Sequence, residues 1–273
     1  MTRVAALQMT TGPDVSTNLT VARDLLREAA EAGVELAALP ENFAFMGLND
    51  VDKRAVSEPP GRGPIQDFLA SAAREFKLWV VGGTIPLKRD TNGHGDGRVA
   101  AASLVISSSG EQVARYDKIH LFDVDIPGKS ETYRESAHVA PGTEPRVVDT
   151  PLGKLGLAVC YDIRFPELFR KLSAAGAVAF VLPSAFTAPT GRAHWETLLR
   201  ARAIENLSAM IAPAQSGVHP NGRETYGDSM VIDHWGRVLA RLPRGTGIAV
   251  ADLDPASRDD ARRNFPSLEH RVF

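Results

Sequence analysis

The sequence predicts a layered α/β fold, and three observations carry that reading. The chain opens by alternating short apolar runs with segments of helical period, a β-α-β-α-β beginning. A further strand–helix unit surrounds Cys160, the only cysteine of 273 residues. Turn-bounded extended runs then fill the middle and the end of the chain, as hairpins do.

Taken in order, Val4 to Met9 reads as the first strand. Val15 to Ala32 follows as a helix, with Asp14 or Ser16 available as cap and Val21, Leu25, Leu26 and Ala29 at helical spacing; Gly33 ends it. Leu36 to Leu39 is a short apolar strand closed by Pro40-Glu41-Asn42-Phe43. Beyond a Gly61-Arg62-Gly63-Pro64 loop, Ile65 to Phe76 reads as a helix and Leu78 to Val81 as a strand. Thr91 to Gly97 is the expected turn of a hairpin between Gly83–Leu87 and Arg98–Ser107, and a strand through Gln112 to Tyr116 comes next. Asp117 to Gly142 has little periodicity and many Asp, Glu, His, Lys, Pro and Gly residues. A loop that long inside a compact domain is expected to be functional.

Leu155 to Val159 is the strand before the cysteine; Pro166 to Gly176 is the helix after it, with proline near its start and glycine past its end. Val178 to Pro183 is another strand, Ser184 to Arg192 a loop, and Ala193 to Leu207 a helix with Trp195, Leu198, Leu199 and Ala203 on one face. Ala209 to Ala214 reads as a strand and Gly217 to Gly222 as a loop. Ser229–Asp233 and Arg237–Leu242 flank His234-Trp235-Gly236 as a hairpin, and Gly247 to Leu253 is the last strand. Residues 256–273 form a charged tail with an amphipathic start at Ala261, Phe265 and Leu268. No composition shift marks a linker and no repeat stands out, so residues 1–273 are expected to form one domain.

The net charge is −2 with 23% charged residues, and the basic side chains are dispersed. Neither a nucleic acid nor a membrane surface is therefore an expected partner. A single cysteine excludes an intrachain disulfide and suits a reducing cytoplasm. No run approaches the ~20 apolar residues of a membrane span, and the opening Met1–Met9 is too short for a signal peptide. The expectation is a soluble, cytoplasmic protein.

Three reactive side chains follow apolar strands: Glu41 after Leu36–Leu39, Lys118 after Val113–Tyr116, and Cys160 after Leu155–Val159. Strand carboxyl ends in α/β sheets converge on the ligand crevice. A carboxylate, an ammonium and a thiol meeting there form an acyl-transfer set. The glutamate would take the thiol proton, and the lysine, with the backbone N–H of Tyr161, would stabilise a tetrahedral oxyanion. Each residue also has a plainer reading, as a solvated carboxylate, a surface charge and a small buried apolar group. His120 and His194 offer an alternative base, while His219, His234 and His270 lack metal-like spacing and read as surface residues.

Longer motifs sharpen this. The chain resembles the nitrilase superfamily of carbon–nitrogen hydrolases over essentially its full length. The likeness rests on Leu39-Pro-Glu41-Asn-Phe43, on the Tyr116-Asp-Lys118-Ile-His segment running to Gly128, and on Gly156-Leu-Ala-Val-Cys160-Tyr-Asp-Ile-Arg-Phe-Pro-Glu167. It extends to Pro183-Ser-Ala-Phe186, His194-Trp-Glu196 through Glu205, and Tyr226-Gly-Asp-Ser229 through Asp233. The resemblance implies a four-layer α-β-β-α sandwich and a Glu–Lys–Cys triad falling on Glu41, Lys118 and Cys160. It implies a second glutamate, Glu135, that orients lysine and substrate. It also implies a thioester acyl-enzyme with no metal or organic cofactor, and a homodimer or higher homo-oligomer. In that assembly the helices after the nucleophile strand and in the His-Trp motif would bury Phe169, Leu172 and Trp195, and the tail from about 256 would pack on a partner.

The Lys118 loop and the His194 helix are similar to the Nit branch of that superfamily. The implied substrate is a small 2-oxo acid amide, most closely deaminated glutathione, with α-ketoglutaramate or an N-carbamoyl amino acid as alternatives. A catalytically silent scaffold on the same fold is the reading of a different class, and the intact Glu, Lys and Cys speak against it. Such a substrate is anionic, so Arg164, one turn past the nucleophile, is the expected cation, with Phe186, Thr187 and His194 lining the pocket. Arg192 and Asp228 stand where the branch typically has proline and histidine, and bear on the amide side of that pocket rather than on the triad.

Overall fold

The computed structural model describes residues 1–89, 96–126 and 132–272. In chain order, β1 (Thr2–Gln8), α1 (Val15–Glu31), β2 (Leu36–Ala38), α2 (Pro64–Phe76) and β3 (Trp79–Val81) form the predicted opening. There follow β4 (Ile85–Leu87), β5 (Ala100–Ile106), β6 (Gln112–Asp117), and the short β7 (Asp123–Asp125) and β8 (Thr132–Arg134). The second half runs β9 (Arg146–Thr150), β10 (Gly153–Leu157), α3 (Pro166–Ala174), β11 (Ala179–Val181), α4 (Ala188–Asn206) and β12 (Ala209–Ala212). It ends with β13 (Ser216–Val218), β14 (Glu224–Tyr226), β15 (Ser229–Ile232), β16 (Val238–Leu242), β17 (Gly247–Leu253) and α5 (Pro255–Asn264).

These strands build two mixed sheets. In the first, β17, β1, β2 and β3 are neighbours; β3 and β4 pair successive stretches of β5, and β6 lies against β5. The second has the order β16-β15-β12-β11-β10-β9. Each has a parallel centre wound by helices, β1-α1-β2-α2-β3 in one and β10-α3-β11-α4-β12 in the other. Alternation along β1 explains the layering. Val4 and Ala6 belong to the core shared with β10 to β12, whereas Ala5 and Leu7 pack with Leu25, Leu26 and Leu69 of α1 and α2. Such fully buried leucines each contribute roughly 1.5–3 kcal/mol. The result is an α-β-β-α sandwich of four layers.

Local chemistry sets the helix limits. Asp14 caps α1, its carboxylate accepting from the Thr17 N–H at 2.7 Å. Helix α4 starts at Ala188, earlier than the predicted Ala193. Pro189 is tolerated in a first turn, and Gly191 faces Tyr226, where an added Cβ would come within 2.2 Å of the ring. Both residues lie in the stretch read as a loop, Ser184 to Arg192, and are helical here for those reasons. The apolar faces of α3 and α4 point into their own chain. Phe169 meets Phe180 edge-on at 5.2 Å, and Trp195 packs on Phe186 at 4.8 Å with its indole N–H donating to the Asp228 carbonyl. Phe169, Leu172 and Trp195 are thus core residues, fully covered without a partner, which corrects their expected place in a subunit interface.

The amphipathic start of the tail is α5, which packs on its own chain: Arg262 donates to the carbonyls of Asn206 and Leu207 at the end of α4, and Phe265 meets Trp235 edge-on. The antiparallel pairing of β4 with β5 agrees with the predicted hairpin. Residues 91–95 of its predicted turn, the Pro127–Gly128 end of the Lys118 motif and Phe273 lie outside the described residues. Among the described residues no helix is long and apolar enough to cross a membrane.

Candidate active site

Sheet topology brings the three strand ends together. β5 runs antiparallel to β3 and β6 antiparallel to β5, so β6 points the same way as β2 and delivers Lys118 to the edge where β2 delivers Glu41. β10 of the facing sheet delivers Cys160. Lys118 Nζ lies 2.8 Å from Glu41 Oε1, and 2.8 and 3.0 Å from the two oxygens of Glu135. Glu41, Lys118 and Cys160 are all buried, at 5%, 2% and 7% exposure, yet all line one pocket that opens to solvent.

Close backbone packing fixes these positions. Gly83 has φ of +46° and lies so near Pro40 that a Cβ would fall 2.0 Å from the Pro40 oxygen, directly behind Glu41. Gly142 plays the same part behind Lys118: its N–H donates to the Lys118 carbonyl, and a Cβ would fall 2.1 Å from the Asp117 oxygen. Cys160 itself has φ of +47° at the head of a 3-10 turn, Cys160–Arg164, that separates β10 from α3. The left-handed conformation costs a non-glycine residue about 1–2 kcal/mol. It turns the thiol out of the strand direction and into the pocket.

The electrostatics follow from this burial. Desolvation raises the Cys160 thiol, the Glu41 charge raises it further, and Lys118 with the Ala185 N–H opposes both; the net effect lifts it well above the ordinary thiol range. Burial also penalises the Glu41 carboxylate, but the charge and hydrogen bond of Lys118 and the contact with Cys160 hold it below its ordinary value. Lys118 is raised: burial lowers it, and Glu135 and Glu41 more than compensate. The resting arrangement is a protonated thiol beside an ionised carboxylate, with an ammonium held between two glutamates. This can accept a proton from sulfur and stabilise negative charge on an adjacent oxygen.

The chain matches the carbon–nitrogen hydrolase family model over residues 3–263. It belongs to that family. It is 43% identical to a deaminated glutathione amidase of Synechocystis sp., covering 98% of this chain and 97% of the relative. The structure of Saccharomyces cerevisiae Nit3, a member of branch 10 of the nitrilase superfamily, superposes with a TM-score of 0.88 at 30% identity, covering all of this chain and 97% of Nit3. An amidase from Nesterenkonia sp. AN1, captured with acrylamide added at its active-site cysteine, aligns with a TM-score of 0.76 at 27% identity over 98% of this chain and all of that one. The protein is an amidase, hydrolysing carbon–nitrogen bonds other than peptide bonds.

Among the other predicted residues of this carbon–nitrogen hydrolase, Tyr161, Arg164, Phe186 and Thr187 also line the pocket. Arg164 lies over the rings of Tyr161 and Phe186 at 5.8 and 5.5 Å. His194 does not line it. The inward face of α4 is Ala188, Gly191 and Trp195, so His194 is turned to the exposed side and reaches the site only through Arg164, 3.3 Å from its Nη1. His120 pairs with Asp162 and stacks on Phe165. His219 is buried, which corrects its reading as a surface residue. Its Nδ1 meets the Thr11 carbonyl and its Nε2 the Thr225 hydroxyl, and burial lowers its pKa. Arg192 is exposed and Asp228 is ion-paired to Arg241, so neither departure from the branch pattern reaches the pocket.

Sequence reasoning missed Asp162, Gln215 and Arg223. Asp162 is fully buried and accepts from Tyr116 Oη, Val159 N and His120 N. Gln215 donates to the Glu41 carbonyl and to Thr11. Arg223 lines the pocket from the β13–β14 hairpin. Asp162, two residues past the cysteine, carried a signal, since a buried aspartate in a nucleophile motif must have partners. Gln215 and Arg223 depend on contacts between distant segments.

Proposed function

We propose that Cys160 is the nucleophile, Glu41 the general base, Lys118 the oxyanion donor and Glu135 the residue that orients Lys118, and that the substrate is deaminated glutathione. The observation that carries this reading is the placement of the Lys118 ammonium between Glu41 and Glu135 beside a buried thiol in an open pocket. Glu41 takes the thiol proton as Sγ adds to the amide carbonyl. Lys118 and the Tyr161 N–H, at the start of a helical turn where N–H groups lack intraturn acceptors, bind the oxyanion. Collapse breaks the carbon–nitrogen bond, and the departing amine takes the proton from Glu41. A water that Glu41 deprotonates then attacks the thioester, releasing the 2-oxo acid and restoring the thiol.

The names of the relatives support the choice of substrate. Arg164, beside the cysteine and without a carboxylate partner among the described residues, is the group we assign to the carboxylate of the 2-oxo acid part, with Phe186 and Thr187 forming the wall. Pairing of β1 with β17 supports treating residues 1–273 as one hydrolase domain. The reading includes a cytoplasmic homodimer or higher homo-oligomer, with the tail from about 256 against a partner.

The test is product-resolved turnover of deaminated glutathione and α-ketoglutaramate, with Cys160→Ala as control. Preference for the former supports the proposal. Equal or reversed preference assigns the enzyme to ω-amidase chemistry, release of carbon dioxide from an N-carbamoyl amino acid assigns it to that class, and no turnover of these with a thiol that still alkylates fast assigns the same chemistry to a different amide.

A further inference from the structure

The pocket holds a second guanidinium, Arg223, whose charge adds to that of Lys118 in holding the Glu41 carboxylate below its ordinary range but which is not one of the groups placed on the reacting atoms. Arg223 stands near the end of the turn that joins β13 to β14, and that turn is rigidly tied down. The His219 N–H donates to the Arg223 carbonyl at 2.9 Å, and the buried His219 ring bridges Thr11 and Thr225. The side chain reaches the loop after β11, where Nη2 donates to the Ala185 carbonyl at 2.6 Å. Its guanidinium carbon lies 5.1 Å from the Tyr133 ring centroid. Nε is buried with no hydrogen-bond partner among the described residues, and no ion pair there involves Arg223. A buried, unmatched donor on a charged group is costly unless something occupies the site in the working state.

We propose that Arg223 is a specificity residue that binds a carboxylate on the leaving amine, so that the pocket recognises a substrate anionic at both ends. The proposal rests on the function proposed above, in which Arg164 takes the carboxylate of the acyl part. Arg164 and Arg223 enter the pocket from different segments, the turn after Cys160 and the β13–β14 hairpin, and each is braced by an aromatic face. One anionic group occupies one guanidinium fork, so two such forks without carboxylate partners suit a dianion. A leaving group of two residues extends about 7 Å past the scissile nitrogen, at ~3.3–3.6 Å per residue. That reach takes its terminal carboxylate away from the scissile bond to another part of the pocket wall, the place we assign to Arg223. A simple ammonia-releasing amide carries nothing that reaches there.

The test compares wild type, Arg223→Gln and Arg223→Lys on three substrates: deaminated glutathione, the same compound with its glycine carboxylate capped as an amide, and α-ketoglutaramate. Because Arg223 also grips the Ala185 carbonyl, all rates of the Gln variant fall somewhat, and the informative quantity is the ratio between substrates. Loss of one charge-assisted contact predicts that kcat/KM for the uncapped compound falls about 10- to 100-fold more than for the other two, chiefly through KM. The Lys variant, which keeps the charge without the fork, is expected to recover part of that ratio. In wild type, capping alone should cost a similar factor. Equal losses on all three substrates, or indifference of wild type to capping, would make Arg223 a scaffold for Ala185 and overturn the proposal. If wild type does not hydrolyse deaminated glutathione at all, the proposed function fails and the Arg223 assignment falls with it.

Discussion

The Tyr116 hydroxyl donates to Asp162 Oδ2 at 2.7 Å, a bond between the strand that delivers Lys118 and the turn that carries Cys160. The same carboxylate accepts from the Val159 and His120 N–H groups, so one buried anion sets the register of both loops. Because Tyr116 and Asp162 are both buried, their hydrogen bond is made in a low dielectric, and burial with the Asp162 charge pushes the phenol far above its ordinary range.

Tyr116→Phe removes that donor and leaves the carboxylate with fewer partners. It should destabilise the fold by about 1–3 kcal/mol, a fall of roughly 2–4 °C in Tm per kcal/mol for a chain of this size. It should also lower kcat by loosening the approach of Lys118 to Cys160. Calorimetry and turnover on the same preparation check both effects. A variant with unchanged Tm and kcat would show that the two loops are held by other means.

Cys160→Ala should abolish turnover while the fold survives, since the side chain is small and its neighbours are loops. Lys118→Met should be different in kind. It leaves the buried Glu41 and the half-buried Glu135 without their shared cation, so it should lower acylation by about 10²–10³-fold, as for loss of one oxyanion donor, and also reduce stability. Single-turnover kinetics with circular dichroism separate these. Near-normal kcat/KM in Lys118→Met would remove it from the chemistry.

The pH dependence follows from the signs. Glu41 is depressed below its ordinary 4.5 and Lys118 is raised above its ordinary 10.5. The stability that Glu41 contributes is fully present above 4.5 and is lost as pH falls through its folded value; that of Lys118 is present below 10.5 and is lost as pH rises through its folded value. With the thiol also raised, kcat/KM should be level through the neutral range, with its acid limb below 4.5. A limb near pH 6–7 would instead point to a histidine base, and a pH–rate profile decides.

Gly83→Ala should be costly out of proportion to one methyl group. The backbone is left-handed there and the new Cβ would fall 2.0 Å from the Pro40 oxygen, so Pro40-Glu41 must move. Destabilisation of at least about 1–3 kcal/mol is expected, together with reduced kcat. Gly61→Ala, also left-handed but with open space around its Cβ, is the control: it should lose less stability and keep its kcat.

The linear sequence determined the alternation of strands and helices, because apolar period and Gly or Pro punctuation are local. It also determined that Glu41, Lys118 and Cys160 each follow a strand. It misread 184–192 as a loop throughout, where Pro189 and Gly191 sit in the first turn of α4, and 117–142, where β7 and β8 are too short to show a period. It read His219 as a surface group because burial of a polar ring depends on partners such as Thr11, far away in the chain. Only the tertiary structure decided that β6 points the same way as β2, that Glu135 reaches Lys118 across a loop, and that Arg223 enters the same pocket. The reason is physical. Periodicity and punctuation are properties of neighbouring residues, whereas convergence, desolvation and the pairing of buried charges exist only once distant segments share one low-dielectric space.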